Sequence, residues 1–547
     1  MYLRENPVLQ RELLVNLRTY QSFILLAAYQ VVLAVVVLAA WPSVERLDLS
    51  ATPVSAKRLT NLFFLGQYLI ASLIAPSFAA GTITGEKERL TYEMLLASPL
   101  RPGSIILGKL IASLSHLGVL VIGSLPIIVL CLPLGGISVY EVVAAYVGLI
   151  VSVILFGQIS LFCSSYFSRT SNSLVVSYLA ILPLVLGAIT LWRFLESDGQ
   201  LRLQIVLFIV PAFAIGAAIL MGAWAAGRML YPPDVGSEGK EVVDLETEAQ
   251  NAIGLVIQPD QFPDRLFAPP TRTDLMADGT NPVYDKELRS EIFSQGTLML
   301  RLVIQISMLL AIPLMGILLF AMPHLAAWFG VFVIVFNLLV GPVFLAGTVT
   351  GERERQTLDL LLTTQLTPKQ ILSGKFIVGF RIAMVLTSFL LWPLLLGTAL
   401  NMGFYSNLLS VAAYFAIILS TGLVNALIAQ TCSMLFNRTS VALLGTYVVL
   451  LFIYVVPPSL VGIFNLTRTR APWVNSLVEP TQVTSPFSAL FAVPLDAELS
   501  PRLDGTPANP GDWSIVIGYF AASAVICAIC LSIMAYRGRR FADGVGG

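Results

Sequence analysis

Long apolar runs separated by short polar stretches dominate the chain. A membrane-crossing helix needs about 20 apolar residues, and twelve runs reach that length. They lie near 22–41, 61–83, 110–132, 141–163, 172–192 and 205–227, then near 299–321, 326–349, 376–400, 406–432, 441–463 and 514–536. The pattern predicts an all-α polytopic membrane protein of about 12 transmembrane helices. A short amphipathic segment opens each set of six: Asn6-Pro7-Val8 before the first run and Asn281-Pro282-Val283 before the seventh. Asn suits a helix cap and Pro the first turn, so each predicts a helix lying along the membrane interface. Residues 1–230 are expected to form one six-span unit and 281–547 a second. Between them, 231–280 is acidic and proline-bearing and reads as a cytoplasmic linker, partly disordered.

The polar stretches carry an internal repeat. Gly81 to Lys109, GTITGEKERLTYEMLLASPLRPGSIILGK, recurs as Gly347 to Lys375, GTVTGERERQTLDLLLTTQLTPKQILSGK, at a constant offset of 266 with 15 of 29 positions identical. Cys163-Ser-Ser-Tyr-Phe-Ser-Arg-Thr-Ser171 recurs as Cys432-Ser-Met-Leu-Phe-Asn-Arg-Thr-Ser440 at an offset of 269, and Arg11-Glu12-Leu13 matches Lys286-Glu287-Leu288. Each half holds an even number of spans. The two repeats are therefore expected to be parallel in the membrane, not inverted.

Composition strengthens the membrane reading and narrows the chemistry. Hydrophobic residues make up 56% and charged residues only 12%, about half the charge of an ordinary soluble protein. The net charge is zero, which gives no reason to expect nucleic acid as a partner. With the N-terminus in the cytoplasm, 22 of the 32 Lys and Arg residues fall on the cytoplasmic side. That bias puts both termini and both repeated loops, 84–109 and 350–375, inside. The charged, amphipathic N-terminal stretch does not read as a cleavable signal peptide, and the expected location is a bacterial cytoplasmic membrane. Five cysteines lie in or beside apolar runs, only His116 and His324 are available as histidines, and there is no HExxH. No catalytic cluster and no metal site is readable. Gly103-Ser-Ile-Ile-Leu-Gly108-Lys109 has the spacing of a phosphate loop, but Leu110 stands where Ser or Thr must hold magnesium. The chain is not expected to hydrolyse ATP.

The repeated block around Glu86 reads as a short helix with a charged rim. Thr84 and Gly85 would break the preceding span, and Leu90, Met94 and Leu95 would give the helix an apolar side, as Gln356, Leu360 and Leu361 would in the second copy. Such a helix suits a groove on another protein. Arg169 and Arg438 read as anchors snorkelling at the inner end of the fourth span of each half, and Arg381 as a snorkelling cation in the ninth. Pro76 and Pro342, at matching places, are candidate kinks in spans 2 and 8. Gln158, Asn425, Gln430 and His116 are polar candidates for lining a pathway or for hydrogen-bonding between helices.

Taken together, the interfacial helix, the Gly-Glu-x-Glu-Arg-x-Thr loop after span 2 and the Cys-Ser-x-x-Phe-x-Arg-Thr-Ser turn after span 4 resemble a permease of the type-2 family of ABC transporters, with two six-span units fused. The resemblance implies that each repeated loop holds a coupling helix fitting a cleft in an ATP-binding subunit. Gly85, Glu86, Glu88, Arg89 and Thr91 would belong to one coupling helix, and Gly351, Glu352, Glu354, Arg355 and Thr357 to the other. It implies two copies of the ATP-binding subunit as partners, ATP and Mg held there and not in this chain, and an exporter of unidentified substrate. An ion-coupled secondary transporter is one alternative, and an ABC-type complex with a mechanical or assembly role is another.

Overall fold

Every regular element among the described residues is helical. The computed structural model describes residues 7–17, 53–89, 91–131, 138–167, 170–194, 199–230, 281–289, 296–321, 326–400, 407–459, 479–494 and 511–544, with 27, 30, 31, 33, 404 and 461. Most of the expected first span, the linker 231–280, Arg169 and His324 lie outside them, as does the His116 side chain. The chain divides into two compact units: Met1–Pro232 with Ser459–Ser476, and Pro233–Pro458 with Leu477–Gly547.

The first unit opens with α1 (Pro7–Leu17). Next, α2 runs from Pro53 to Ala79 and continues as Gly81–Glu88. The short α3 (Tyr92–Leu96) follows, then α4 (Pro102–Gly123) and α5 (Leu125–Cys131). α6 (Val139–Tyr166), α7 (Thr170–Phe194) and α8, which begins as Gly199–Gln204 and ends as Val210–Leu230 with a π-helical turn between, complete the unit. In the second unit, α9 (Pro282–Arg289) and α10 (Gly296–Met315) precede α11 (Ala326–Glu354) and the short α12 (Leu358–Leu362). α13 (Pro368–Leu400), α14 (Leu408–Leu435), α15 (Thr439–Tyr454), α16 (Pro486–Ala492) and α17 (Trp513–Gly544) follow. Element order therefore repeats: α1 to α4 correspond to α9 and α11 to α13, and α6 and α7 to α14 and α15.

Nine helices among the described residues are long and apolar enough to cross a membrane. The expected third span qualifies only when α4 and α5 are joined, and the two parts are bent by 42°. The expected seventh span is represented by the shorter apolar helix Gln305–Met315. The chain is a polytopic membrane protein. α6 is the hub of the first unit, packing on α2, α4, α7 and α8, whereas α11 and α14 are the hub of the second. Within Ala326–Glu354, 89% of the most apolar window is buried, against 6% in Gly199–Met229. The latter helix therefore packs on α6 and α4 along one side only, with Ala225 and Met229 in the core, and leaves the rest of its apolar surface uncovered by its own unit.

Pro76 and Pro342 both lie inside helices. Gly85 and Gly351 do not interrupt theirs, contrary to the expected break: the span helices run on to Glu88 and Glu354. Hydrogen bonds supplied by other elements explain the extension. Ser164 Oγ accepts from the amides of Ile83 and Thr84, and Ser433 Oγ from those of Val349 and Thr350. The helices end just beyond, where Arg89 sits at φ −89°, ψ 0° and Gln356 takes a left-handed φ of 57°. Thr91 and Thr357 then cap the short helices α3 and α12.

Candidate functional site

The candidate site is the charged end of each unit, where α2 or α11 gives way to its short helix. Three consecutive side chains there reach three different elements. Glu86 Oε1 lies 3.3 Å from Lys109 Nζ at the start of α4, and Glu352 Oε1 lies 2.8 Å from Lys375 Nζ at the start of α13. The next residue is basic. Lys87 Nζ donates to the carbonyls of Ser164, Ser165 and Phe167 at the end of α6, at 3.2, 2.8 and 2.9 Å. Arg353 donates to the carbonyls of Met434 and Phe436 at the end of α14, at 3.1 and 2.5 Å. These are the last carbonyls of a helix, which have no partner within it, and a cation there also favours the helix dipole. The third residue is acidic. Glu88 Oε1 accepts from the Thr170 amide at 2.8 Å, and Glu354 accepts from the Thr439 amide at 3.2 Å and its hydroxyl at 2.9 Å. Each glutamate thereby caps the first turn of α7 or α15, where amides lack helical acceptors.

A fourth element enters through the lysines. Lys109 Nζ also meets Glu12 of α1 at 3.4 Å and donates to the Thr82 carbonyl at 2.9 Å. Lys375 Nζ meets Glu287 of α9 at 2.5 Å, and Lys286 approaches Glu352 at 3.7 Å. Thr91 and Thr357 donate their hydroxyls to the carboxylates of Glu86 and Glu352. A further tie recurs behind these: Thr84 and Thr170 hydroxyls are 2.9 Å apart, and those of Thr350 and Thr439 3.0 Å. Gly103 to Lys109 is helical and not a loop, and Lys109 is committed to carboxylates. The phosphate-loop spacing there falls within a regular helix, where Gly103, Gly108 and Lys109 are spread around the axis and form no loop.

The site residues read from the sequence thus separate into two groups. Glu86, Glu88, Thr91, Glu352, Glu354 and Thr357 are bound to their own unit, and Gly85 and Gly351 lie within span helices. Arg89 and Arg355 are exposed. The apolar face of the short helix is also split. Tyr92, buried, and Leu95 and Leu96 pack with Ile83, Ile105, Ile106 and Leu110. Met94 points outward and is 75% exposed, and its counterpart Leu360 is 69% exposed. Leu358, Leu361 and Leu362 line a small cleft with Ile371, Leu372 and Lys375. The sequence points to Lys109 only through a phosphate-loop spacing and to no role for Lys87, Ser164 or their counterparts; recurrence at the two offsets is the available signal.

Two family models, each described as ABC-2 family transporter protein, match residues 22–231 and 202–541. The chain belongs to the ABC-2 family of transporter proteins. No curated protein and no solved structure matches it. An ABC-2 permease acts with an ATP-binding partner and lipid, so the exposed ends of the doubled junction become candidates for the partner's contact.

Other polar residues singled out in the sequence fall inside the units. Asn425 and Gln430 hydrogen-bond between helices, Asn425 to Asn337 at 2.9 Å and Gln430 to the Leu372 carbonyl at 2.9 Å. Gln158 is buried against Gly222. Arg381 donates to the Tyr284 hydroxyl of α9 at 3.3 Å. Arg438 caps α15, its carbonyl accepting from Ala442 at 2.9 Å.

Proposed function

We propose that this ABC-2 protein is the permease subunit of an ATP-driven exporter in a bacterial cytoplasmic membrane, with both termini and both repeated loops on the cytoplasmic side. Two copies of a separate ATP-binding subunit dock on the loops 84–109 and 350–375. The docking face is the outward side of α3 and α12, centred on Met94 and Leu360 and rimmed by Arg89 with Glu93 and by Arg355 with Asp359. The carrying observation is the paired exposure of one large apolar side chain at the tip of each junction, 266 residues apart. A lone exposed apolar residue is ordinary. Two at matching positions, each on a short helix braced from behind by four elements, support a role in contact with a partner.

The mechanism follows from the bracing. Residues 231–280 link the two six-span units, 1–230 and 281–547. Closure of the ATP-binding subunits on ATP displaces both short helices. Glu86 and Glu352 pass the displacement to α4 and α13, Lys87 and Arg353 to α6 and α14, and Glu88 and Glu354 to α7 and α15. Each unit then moves as a body, and the pathway opens alternately to either side.

Met94→Glu with Leu360→Glu tests the docking face. The double variant is expected to fold in the membrane, since both side chains are exposed, and to lose co-purification of the ATP-binding subunit with its permease-dependent ATP turnover. Unchanged co-purification and turnover would overturn the proposal.

A further inference from the structure

The interfacial helices α1 and α9 take no part in that docking face, yet each is joined to it through a buried ammonium, Lys109 or Lys375, and α9 also through its own exposed Lys286, 3.7 Å from Glu352. Lys109 is 2% exposed and Lys375 5% exposed. Each receives one carboxylate from the interfacial helix, Glu12 or Glu287, and one from the end of the span helix, Glu86 or Glu352. The same carboxylate accepts the hydroxyl of the residue that caps the short docking helix, Thr91 or Thr357. A continuous chain of polar contacts therefore runs from interfacial helix to lysine, to glutamate, to threonine, to docking helix. It is built twice.

The interfacial helix is also seated closely. α9 packs along α13, and a Cβ on Gly374 would lie 3.1 Å from the Tyr284 amide nitrogen and 3.3 Å from Val283 Cβ. Glycine at 374 permits this approach, and the neighbouring Lys375 then reaches Glu287 at 2.5 Å. Asn281 Oδ1 accepts from the Val283 amide at 3.0 Å, and its Nδ2 donates to the Gln370 carbonyl at 2.7 Å. The start of the interfacial helix is thus fixed to the same helix that carries the lysine.

We infer that Lys109 and Lys375 are positioning residues that make each interfacial helix move with its docking helix, so that the nucleotide cycle of the partner is also delivered to the membrane surface. The inference rests on the docking reading above for the source of the motion; the clamp itself does not depend on it. Two carboxylates sharing one ammonium form a three-body clamp, and removing only the interfacial carboxylate cuts one arm. The pair between lysine and span helix remains, so no buried cation loses its whole complement.

The test places spin labels at Gln10→Cys on α1 and Ala97→Cys beyond α3, both exposed positions, in the full chain with the native cysteines replaced by alanine. In the permease alone, the parent is expected to give one narrow distance distribution, and Glu12→Gln with Glu287→Gln a broadened one. In complex with the ATP-binding subunit, the parent distance is expected to stay constant between nucleotide-free and ATP-trapped states, whereas in E12Q/E287Q it shifts. Unlabelled complexes carrying E12Q/E287Q are expected to assemble normally but lose permease-dependent ATP turnover by roughly tenfold, within the range that coupling residues command. Lys109→Arg with Lys375→Arg is expected to retain it. Identical distributions and turnover in parent and E12Q/E287Q would overturn the inference while leaving docking intact. Failure of the parent to bind any ATP-binding subunit would instead strike the docking reading, and the label pair in the permease alone would still decide the clamp. If the cysteine-free chain does not fold, the turnover ratio of unlabelled E12Q/E287Q to K109R/K375R decides it.

Discussion

The charged ends of the two units are near copies, but their apolar interiors are not. In the second unit, four buried side chains on four helices form one chain of hydrogen bonds. Tyr454 donates to Asn425 at 3.0 Å, Asn425 to Asn337 at 2.9 Å, and Asn337 to Thr387 at 2.7 Å. At the corresponding positions of the first unit stand Val185, Phe156, Ala71 and Val121. α11, α13, α14 and α15 are therefore pinned by one shared chain of polar contacts, whereas the first unit places its buried tie elsewhere, between Ser124 at the end of α4 and the Tyr146 hydroxyl of α6, 2.9 Å apart. Interhelical hydrogen bonds in a membrane are worth about 0.6 kcal/mol each, so the three together contribute on the order of 2 kcal/mol. One interior tie does recur. Tyr178 donates to the Leu73 carbonyl at 2.8 Å and Tyr447 to the Leu339 carbonyl at 2.7 Å, fixing α7 to α2 and α15 to α11. The difference teaches where duplication matters. The polar bonds of the junction are kept in both units, whereas the polar ties of the interiors are placed differently in each.

The largest expected effect would break the likeness at the junctions. Lys109→Met or Lys375→Met leaves two carboxylates facing each other, at a cost of about 3 kcal/mol for losing the partner of a largely buried pair. The thermal midpoint of the purified chain should fall by a similar amount for either variant. A fall for one and none for the other would mean that the two junctions carry unequal loads.

The contrast between the interiors can be sharpened next. Asn425→Leu strands the acceptor of Asn337 and the hydroxyl of Tyr454, at about 2 kcal/mol. Replacing all four members by their first-unit counterparts, Asn337→Ala, Thr387→Val, Asn425→Phe and Tyr454→Val, removes donors and acceptors together. The fourfold variant should lose less stability than N425L alone, because paired removal leaves fewer stranded groups. A larger loss would mean that the chain of side chains supports packing and not merely polar satisfaction.

Smaller still is the cap. Glu88→Gln and Glu354→Gln keep the shape but weaken the charge at the first turn of α7 and α15, each by about 1 kcal/mol. Hydrogen exchange at the amides of Thr170 and Thr439 should rise in each case by a similar factor. The smallest effect belongs to the tip: Met94→Ala and Leu360→Ala should leave the thermal midpoint nearly unchanged, within about 0.5 kcal/mol.

The offsets of 266 and 269 made the junction findable from sequence, because its side chains from Thr84 to Lys109 and from Ser164 to Thr170 stand in the repeated blocks. The apolar runs likewise placed most of the helices. What the sequence could not convey was direction. Glu86 and Glu88 look like the rim of a docking helix because they are charged and repeated, but they point into the unit because Lys109 and Thr170 arrive from distant segments to receive them. Gly85 and Gly351 look like helix breakers by local propensity. They are overridden by Ser164 and Ser433, 79 and 82 residues further on. Lys109 suggested a phosphate loop by spacing alone, since its carboxylate Glu12 lies 97 residues away. The interior chain from Asn337 to Tyr454 has no periodic or repeated signature, and only packing brings it together.

The central claim is that both short helices touch an ATP-binding subunit on the cytoplasmic face. Photo-crosslinking from a benzoylphenylalanine introduced at position 94 or at position 360, in intact cells, tests it most directly. The expected result is an adduct from each position with a subunit that carries a phosphate-binding loop, identified by mass spectrometry, and its loss when that subunit is deleted. Adducts at neither position, or only with proteins from the far side of the membrane, would contradict the claim.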